Sequence, residues 1–147
     1  MSRFNPQARR KARQCVLQAL YQWHYAETNL VDIEIQFVTE HDMDGVDMAY
    51  FSELLHAIPM QIATLDKHLQ PYLDRVLAEV SPIEIAILRI GTYELLQRPD
   101  IPYRVVLNEA IELAKTFGAD ESHKYVNGVL DPLAKQLRPA APVKDSL

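Results

Sequence analysis

With 147 residues, 48% of them apolar and 24% charged, the chain is long enough to bury about 70% of the surface its unfolded form would expose, and its composition excludes a collagen-like or wholly disordered polypeptide. A single cysteine, Cys15, excludes an internal disulfide framework. The net charge of −5 conceals an asymmetry: Arg3, Arg9, Arg10, Lys11 and Arg13 place +5 on the first thirteen residues with no acid among them, leaving −10 on the remainder, so an otherwise acidic protein has one basic end.

Apolar residues recur at spacings of three and four, and no strand-like alternation is evident, which predicts an all-α fold. A first helix is expected from Gln7 to Ala26, with Ala12, Val16, Ala19, Leu20 and Trp23 on one stripe. A short second helix starts near Asp32 and carries Ile33, Phe37 and Val38, and the polar stretch from His41 to Gly45 ends it. A third begins near Asp47 and runs to Leu69, with a kink or break expected at Pro59. Ser81-Pro82-Ile83-Glu84 is a clear start signal, with Ser81 as cap, Pro82 in the first helical position and Glu84 closing a capping box. That helix should stop at Gln97, before Pro99. The next starts around Pro102 and ends at Gly118 as C-terminal cap, and the last begins near Asp120 or Ser122 with Pro132 disturbing its later turns. Residues 139–147, with Pro139, Pro142 and no periodicity, read as a frayed tail after a single domain over 1–138.

Catalytic chemistry finds no seat in these residues. The four glycines lie in separate segments and build no phosphate-cradling loop. The run from Asp42 to Asp47 lacks the glycine and glutamate positions of a calcium loop. No two of the five histidines are spaced as helical zinc ligands, and Cys15 sits between core positions as a small inert thiol. The expectation is therefore a protein without cofactor, metal or reaction. The Arg-rich start lacks the apolar stretch of a secretory signal and no apolar run approaches transmembrane length, so a cytoplasmic protein with no membrane association is expected.

Two segments point to nucleic acid. Arg9 and Arg13 lie one helical turn apart with Arg10 and Lys11 beside them, and cations at a helix start oppose the macrodipole unless something anionic binds; a merely solvated helix start is the competing explanation. Ser122-His123-Lys124-Tyr125 opens the last helix with free N–H groups, a cation and an aromatic ring that could stack on an unpaired base or serve as a half-buried anchor. Asp120 and Glu121 repel phosphate yet can accept hydrogen bonds from base amino groups.

From the first helix to about Arg138 the chain resembles the NusB family of bacterial transcription antitermination factors. The resemblance rests on Arg9-Arg10-Lys11-Ala12-Arg13 with Gln18-Ala19-Leu20-Tyr21, on Ile87-Leu88-Arg89-Ile90 with Tyr93-Glu94-Leu95, on Asn108 to Ala114, and above all on KTFGADESHKYVNGVLD from Lys115 to Asp131. It implies a compact bundle of about seven helices in two packed three-helix subunits, a single-stranded boxA RNA ligand, and NusE, a small-subunit ribosomal protein, as partner in a complex on RNA polymerase at ribosomal RNA operons. By the same resemblance the RNA-binding residues are Arg9, Arg10, Lys11, Arg13, Glu121, His123, Lys124 and Tyr125, and the partner surface carries Tyr21 and Glu84. Tyr125 stands where the family usually has phenylalanine, and Asp120-Glu121 reverses the familiar order of the acidic pair, leaving open which carboxylate faces RNA. A protein-only scaffold and a stand-alone relative of the RNA-binding domain of ribosomal RNA methyltransferases are the rival readings. The sequence leaves a homodimer that masks the basic helix open.

Overall fold

The computed structural model describes residues 5–26 and 29–139. Among these residues there are seven α-helices and no strand: α1 (Pro6–Tyr25), α2 (Leu30–Glu40), α3 (Met48–Met60), α4 (Ile62–Leu69), α5 (Pro82–Gln97), α6 (Tyr103–Phe117) and α7 (Ser122–Leu137). Two short 3-10 turns, Gln70–Tyr72 and Leu77–Glu79, connect α4 to α5. The all-α expectation stands. The chain forms two compact units, residues 1–62 and 63–147, with Arg3 and residues 140–147 of the expected tail outside the described residues.

In the first unit α1 packs against α2 and α3. Its start is fixed by Asn5, whose side-chain oxygen accepts from the N–H groups of Gln7 and Ala8, and by Pro6, whose missing N–H costs nothing in a first turn. Ala12, Val16, Ala19 and Leu20 form the buried stripe, whereas Trp23 is only half-buried. Opposite them Ile33 and Phe37 of α2 and Phe51, Leu54, Leu55 and Ile58 of α3 complete the core. The Phe37 ring stacks on Phe51 at 5.8 Å and on His41 at 3.8 Å. Asp47 caps α3 by accepting from Tyr50 N–H, and its own N–H donates to the Ala8 carbonyl at 3.1 Å, tying the start of α3 to α1.

Pro59 does break the long third helix. With no N–H at Pro59 and its ring crowding the turn before, the path ends at Met60, and Gln61 leaves helical geometry at φ −109, ψ 16 before α4 begins. The boundary between the two units falls one residue later.

In the second unit α5 packs against both α6 and α7, which also pack against each other. A helix covered on several sides must be apolar around its circumference, and ten residues between Ile85 and Leu95 are indeed buried. Gly91 permits the closest approach, because a Cβ there would stand 2.8 Å from Leu130 Cδ1. Arg89 donates from Nε and Nη2 to both carboxylate oxygens of Asp66 at 2.9 Å, joining α5 to α4. Arg138 closes the unit: its guanidinium donates to the carbonyls of Glu94, Leu95, Arg98 and Ile101, at and beyond the C-terminal end of α5.

Three details depart from expectation. Ser81 caps α5 by accepting from Glu84 N–H at 3.1 Å, but the Glu84 carboxylate turns away to accept from Ser122 Oγ at 2.8 Å, so the side-chain half of the capping box is replaced by a link between α5 and α7. Gly118 ends α6 with an ordinary φ of −88; the requirement is for space, since a Cβ would lie 2.8 Å from both the Ala114 carbonyl oxygen and Ser122 Cβ. Pro132 does not interrupt α7, which continues to Leu137. The carbonyl it leaves without a helical partner belongs to Gly128, an exposed residue with open space where a side chain would be.

Candidate nucleic-acid interface

Each unit carries one of the two segments singled out above. On the first unit the first turn of α1 contains no acid, and its basic residues differ sharply in placement. Lys11 is exposed, and Arg9 and Arg10 are half-buried. Arg13 is only 3% exposed, with its guanidinium 5.5 Å from the centre of the Tyr50 ring, and Arg9 reaches the same ring at 4.3 Å. Tyr50 is itself buried. The basic stretch of α1 therefore places one cation in the unit's interior, where a desolvated guanidinium over an aromatic face is worth up to about 2 kcal/mol, and leaves Lys11 exposed. Lys11 lies across the turn at Gly45, where φ is +77 and a Cβ would meet Lys11 Nζ at 2.9 Å. Glycine is favoured there by the left-handed backbone, since the lysine end above it can move aside.

On the second unit Glu121 precedes α7 in the left-handed conformation at φ 72, the sole non-glycine residue with positive φ among those described. Such a residue costs roughly 1–2 kcal/mol. Its carboxylate pairs with Lys124 Nζ at 2.7 Å, and both side chains are about two-thirds exposed, so the pair contributes little to stability and can be exchanged for another partner. His123 is half-buried. Ser122, nearly buried, is the residue bound to Glu84.

Tyr125 is half-buried. Its hydroxyl is buried, and burial, followed by the negative charge of the neighbouring Asp74 carboxylate, pushes the phenol above its ordinary pKa. Over its ring, 4.9 Å from the centre, lies the guanidinium of Arg75. Arg75 donates from Nε to Asp74 Oδ1 at 2.7 Å and from Nη2 to Asp74 Oδ2 at 3.0 Å. The guanidinium in turn holds the Asp74 carboxyl below the usual carboxylate range. A depressed carboxyl keeps its pairing at all pH values above that range and loses it only as pH falls through the lowered value. The sequence reading did not single out Asp74 or Arg75, because an adjacent acid–base pair in a connecting segment has no periodicity to mark it.

The residues expected to meet a partner are Tyr21, 38% exposed and edge-on to Tyr25 at 5.1 Å, and Glu84, whose carboxylate already holds Ser122. Cys15 is half-buried, and burial raises its thiol pKa, so the thiolate needed for nucleophilic chemistry is disfavoured. Among the described residues no group of three or more His, Cys, Asp or Glu side chains is placed to hold a metal ion, and no helix is long and apolar enough to cross a membrane.

Seven helices in two units, with cations at the start of one and an aromatic at the start of another, define a helical protein of a recognisable class. The sequence profile of the NusB family matches residues 10–135, and the chain belongs to that family. The transcription antitermination protein NusB of Alcanivorax borkumensis is 59% identical over 133 residues, covering 90% of this chain and 89% of the relative. The protein of the same name from Sodalis glossinidius is 53% identical, covering 91% and 96%. Among solved structures, T. maritima NusB superposes with a TM-score of 0.76 at 31% identity, over 92% of this chain and 94% of that one.

Proposed function

We propose that this chain is a cytoplasmic transcription antitermination factor. It binds single-stranded boxA RNA together with NusE, helps assemble a processive complex on RNA polymerase at ribosomal RNA operons, and catalyses no reaction. The observation that carries the reading is the start of α1, where a protein of net charge −5 concentrates Arg9, Arg10 and Lys11 in a first turn and a half without a compensating acid in that turn. Family membership supports it. In this account Arg10 and Lys11 hold the RNA backbone electrostatically, Arg9 shares that task with its packing on Tyr50, and Arg13, buried against the same ring, acts as the internal support of the basic turn. On the other unit His123, Lys124 and Glu121 contact RNA at the start of α7, with Lys124 leaving its exposed pairing to Glu121 for a phosphate. Tyr21 and Glu84 meet NusE.

Phosphate contacts release counterions, so binding weakens linearly on a log–log salt plot with a slope of about −0.7 per contact for single strands. Replacing Arg10 and Lys11 together with glutamine is expected to lower RNA affinity at low salt and to make that slope shallower by about 1.4. A double variant with wild-type affinity and slope would count against an RNA role for α1 and favour the protein-only scaffold.

A further inference from the structure

The ring expected to receive an RNA base, Tyr125, is already covered. Arg75 lies over it at 4.9 Å, and the Tyr125 hydroxyl is buried. A base approaching this face of Tyr125 therefore meets a guanidinium before it meets the ring. That guanidinium is held flat: two of its nitrogens, Nε and Nη2, point their N–H bonds at Asp74 in a bidentate clasp. Hydrogen bonds to the edge of the plane leave its faces free of hydrogen bonds to Asp74, and with the guanidinium carbon 4.9 Å from the Tyr125 ring centre the Arg75 side chain remains 41% exposed. The clasp also makes the pair electrically neutral, which weakens its pull on phosphate but not its capacity to stack. A guanidinium is planar, delocalised and weakly hydrated, and unpaired RNA bases stack on such planes as they do on aromatic rings.

We propose that Arg75, seated on Tyr125 and clasped by Asp74, is the surface on which an unpaired RNA base stacks, with Tyr125 as its backing. The inference rests on the RNA-binding reading above and replaces a direct base–tyrosine contact with a three-layer stack of tyrosine, arginine and base. It applies to single-stranded RNA, since a duplex offers no free base face.

The test separates a plane from a charge. Fluorescein-labelled single-stranded boxA RNA is titrated, in the presence of NusE, with the full chain and with Arg75→Ala, Arg75→Lys and Arg75→Phe. All three substitutions fall at an exposed position in a connecting segment, and circular dichroism of each variant checks that the fold is kept. A stacked base is worth about 1–3 kcal/mol, so Arg75→Ala and Arg75→Lys are each expected to weaken binding by about five-fold or more. Arg75→Phe, which keeps a plane and loses the charge, should stay within about two-fold of wild type. If Arg75→Lys binds as wild type while Arg75→Phe fails, the arginine is a phosphate contact and the stacking proposal is wrong. If all three variants match a wild type that binds the RNA, Arg75 takes no part and the RNA-binding reading survives without it. A wild type that does not bind this RNA even with NusE overturns both.

Discussion

Arg9 and Arg13 are four residues apart, a spacing that aligns two guanidinium groups along one side of a helix. Steps of three and four from Arg13 lead to Val16 and Leu20, both buried, so Arg13 belongs to the register of the core stripe. Residue type drew attention to the charge, whereas position determined where it went: 3% exposed, against Tyr50. Tyr125 is a similar case. Its position in the motif was legible, but the arginine that covers it comes from a segment fifty residues earlier, brought there only by tertiary folding. Arg138 shows what sequence cannot signal at all, a single side chain that donates to several carbonyls at and beyond the end of α5. Hydrogen bonds to a charged donor are worth about 1.5–3 kcal/mol. Arg138→Ala is therefore expected to lower unfolding stability by about 2 kcal/mol in urea, with helix content unchanged by circular dichroism; an unchanged midpoint would mean that water replaces the guanidinium without cost.

At the scale of elements, local chemistry was informative wherever the determinant lay within one turn. Asn5-Pro6, Asp47 and Ser81-Pro82 mark the starts of α1, α3 and α5, each through a side-chain oxygen accepting from the first free N–H groups. Proline was ambiguous, because the ring's effect depends on its surroundings. Pro59 lies one residue before the end of α3, whereas Pro132 sits in a helix whose unpaired carbonyl falls at exposed Gly128. Gly118 reads in the sequence as a helix terminator chosen for backbone freedom, whereas in the fold it matters for space. The contact lies beside the candidate interface, since two of the atoms it spares are in Ser122, the first residue of α7 and the donor to Glu84. Gly118→Ala is expected to cost about 1–3 kcal/mol through crowding and to perturb amide resonances at Ser122 and Glu84. An alanine variant of native stability with unmoved resonances would show that the turn between α6 and α7 yields easily.

For the molecule as a whole, the charge asymmetry is the feature that sequence conveys most completely. It needs no folding to be read, and the fold keeps Arg10 and Lys11 at the accessible start of α1. The division into two units after Ile62 is foreshadowed only by a suspect proline at position 59, because the sequence shows where a helix must fail but not that a new core begins nearby. Among the described residues no group of three or more His, Cys, Asp or Glu side chains is placed to hold a metal ion. The account is instead one of weak, separable contacts: phosphates on one unit, a stacked base and an exchangeable lysine on the other, and a protein partner that lowers the cost of ordering the RNA. Such a system should bind poorly alone and discriminate well in company.

The most direct measurement is therefore fluorescence anisotropy of a boxA single-stranded RNA and a scrambled RNA of the same composition, titrated with the protein with and without NusE across a salt series. The account predicts salt-sensitive binding to both RNAs by the protein alone, and a clear preference for boxA that appears or grows when NusE is present. Equal binding to the two RNAs, unchanged by NusE, would contradict it.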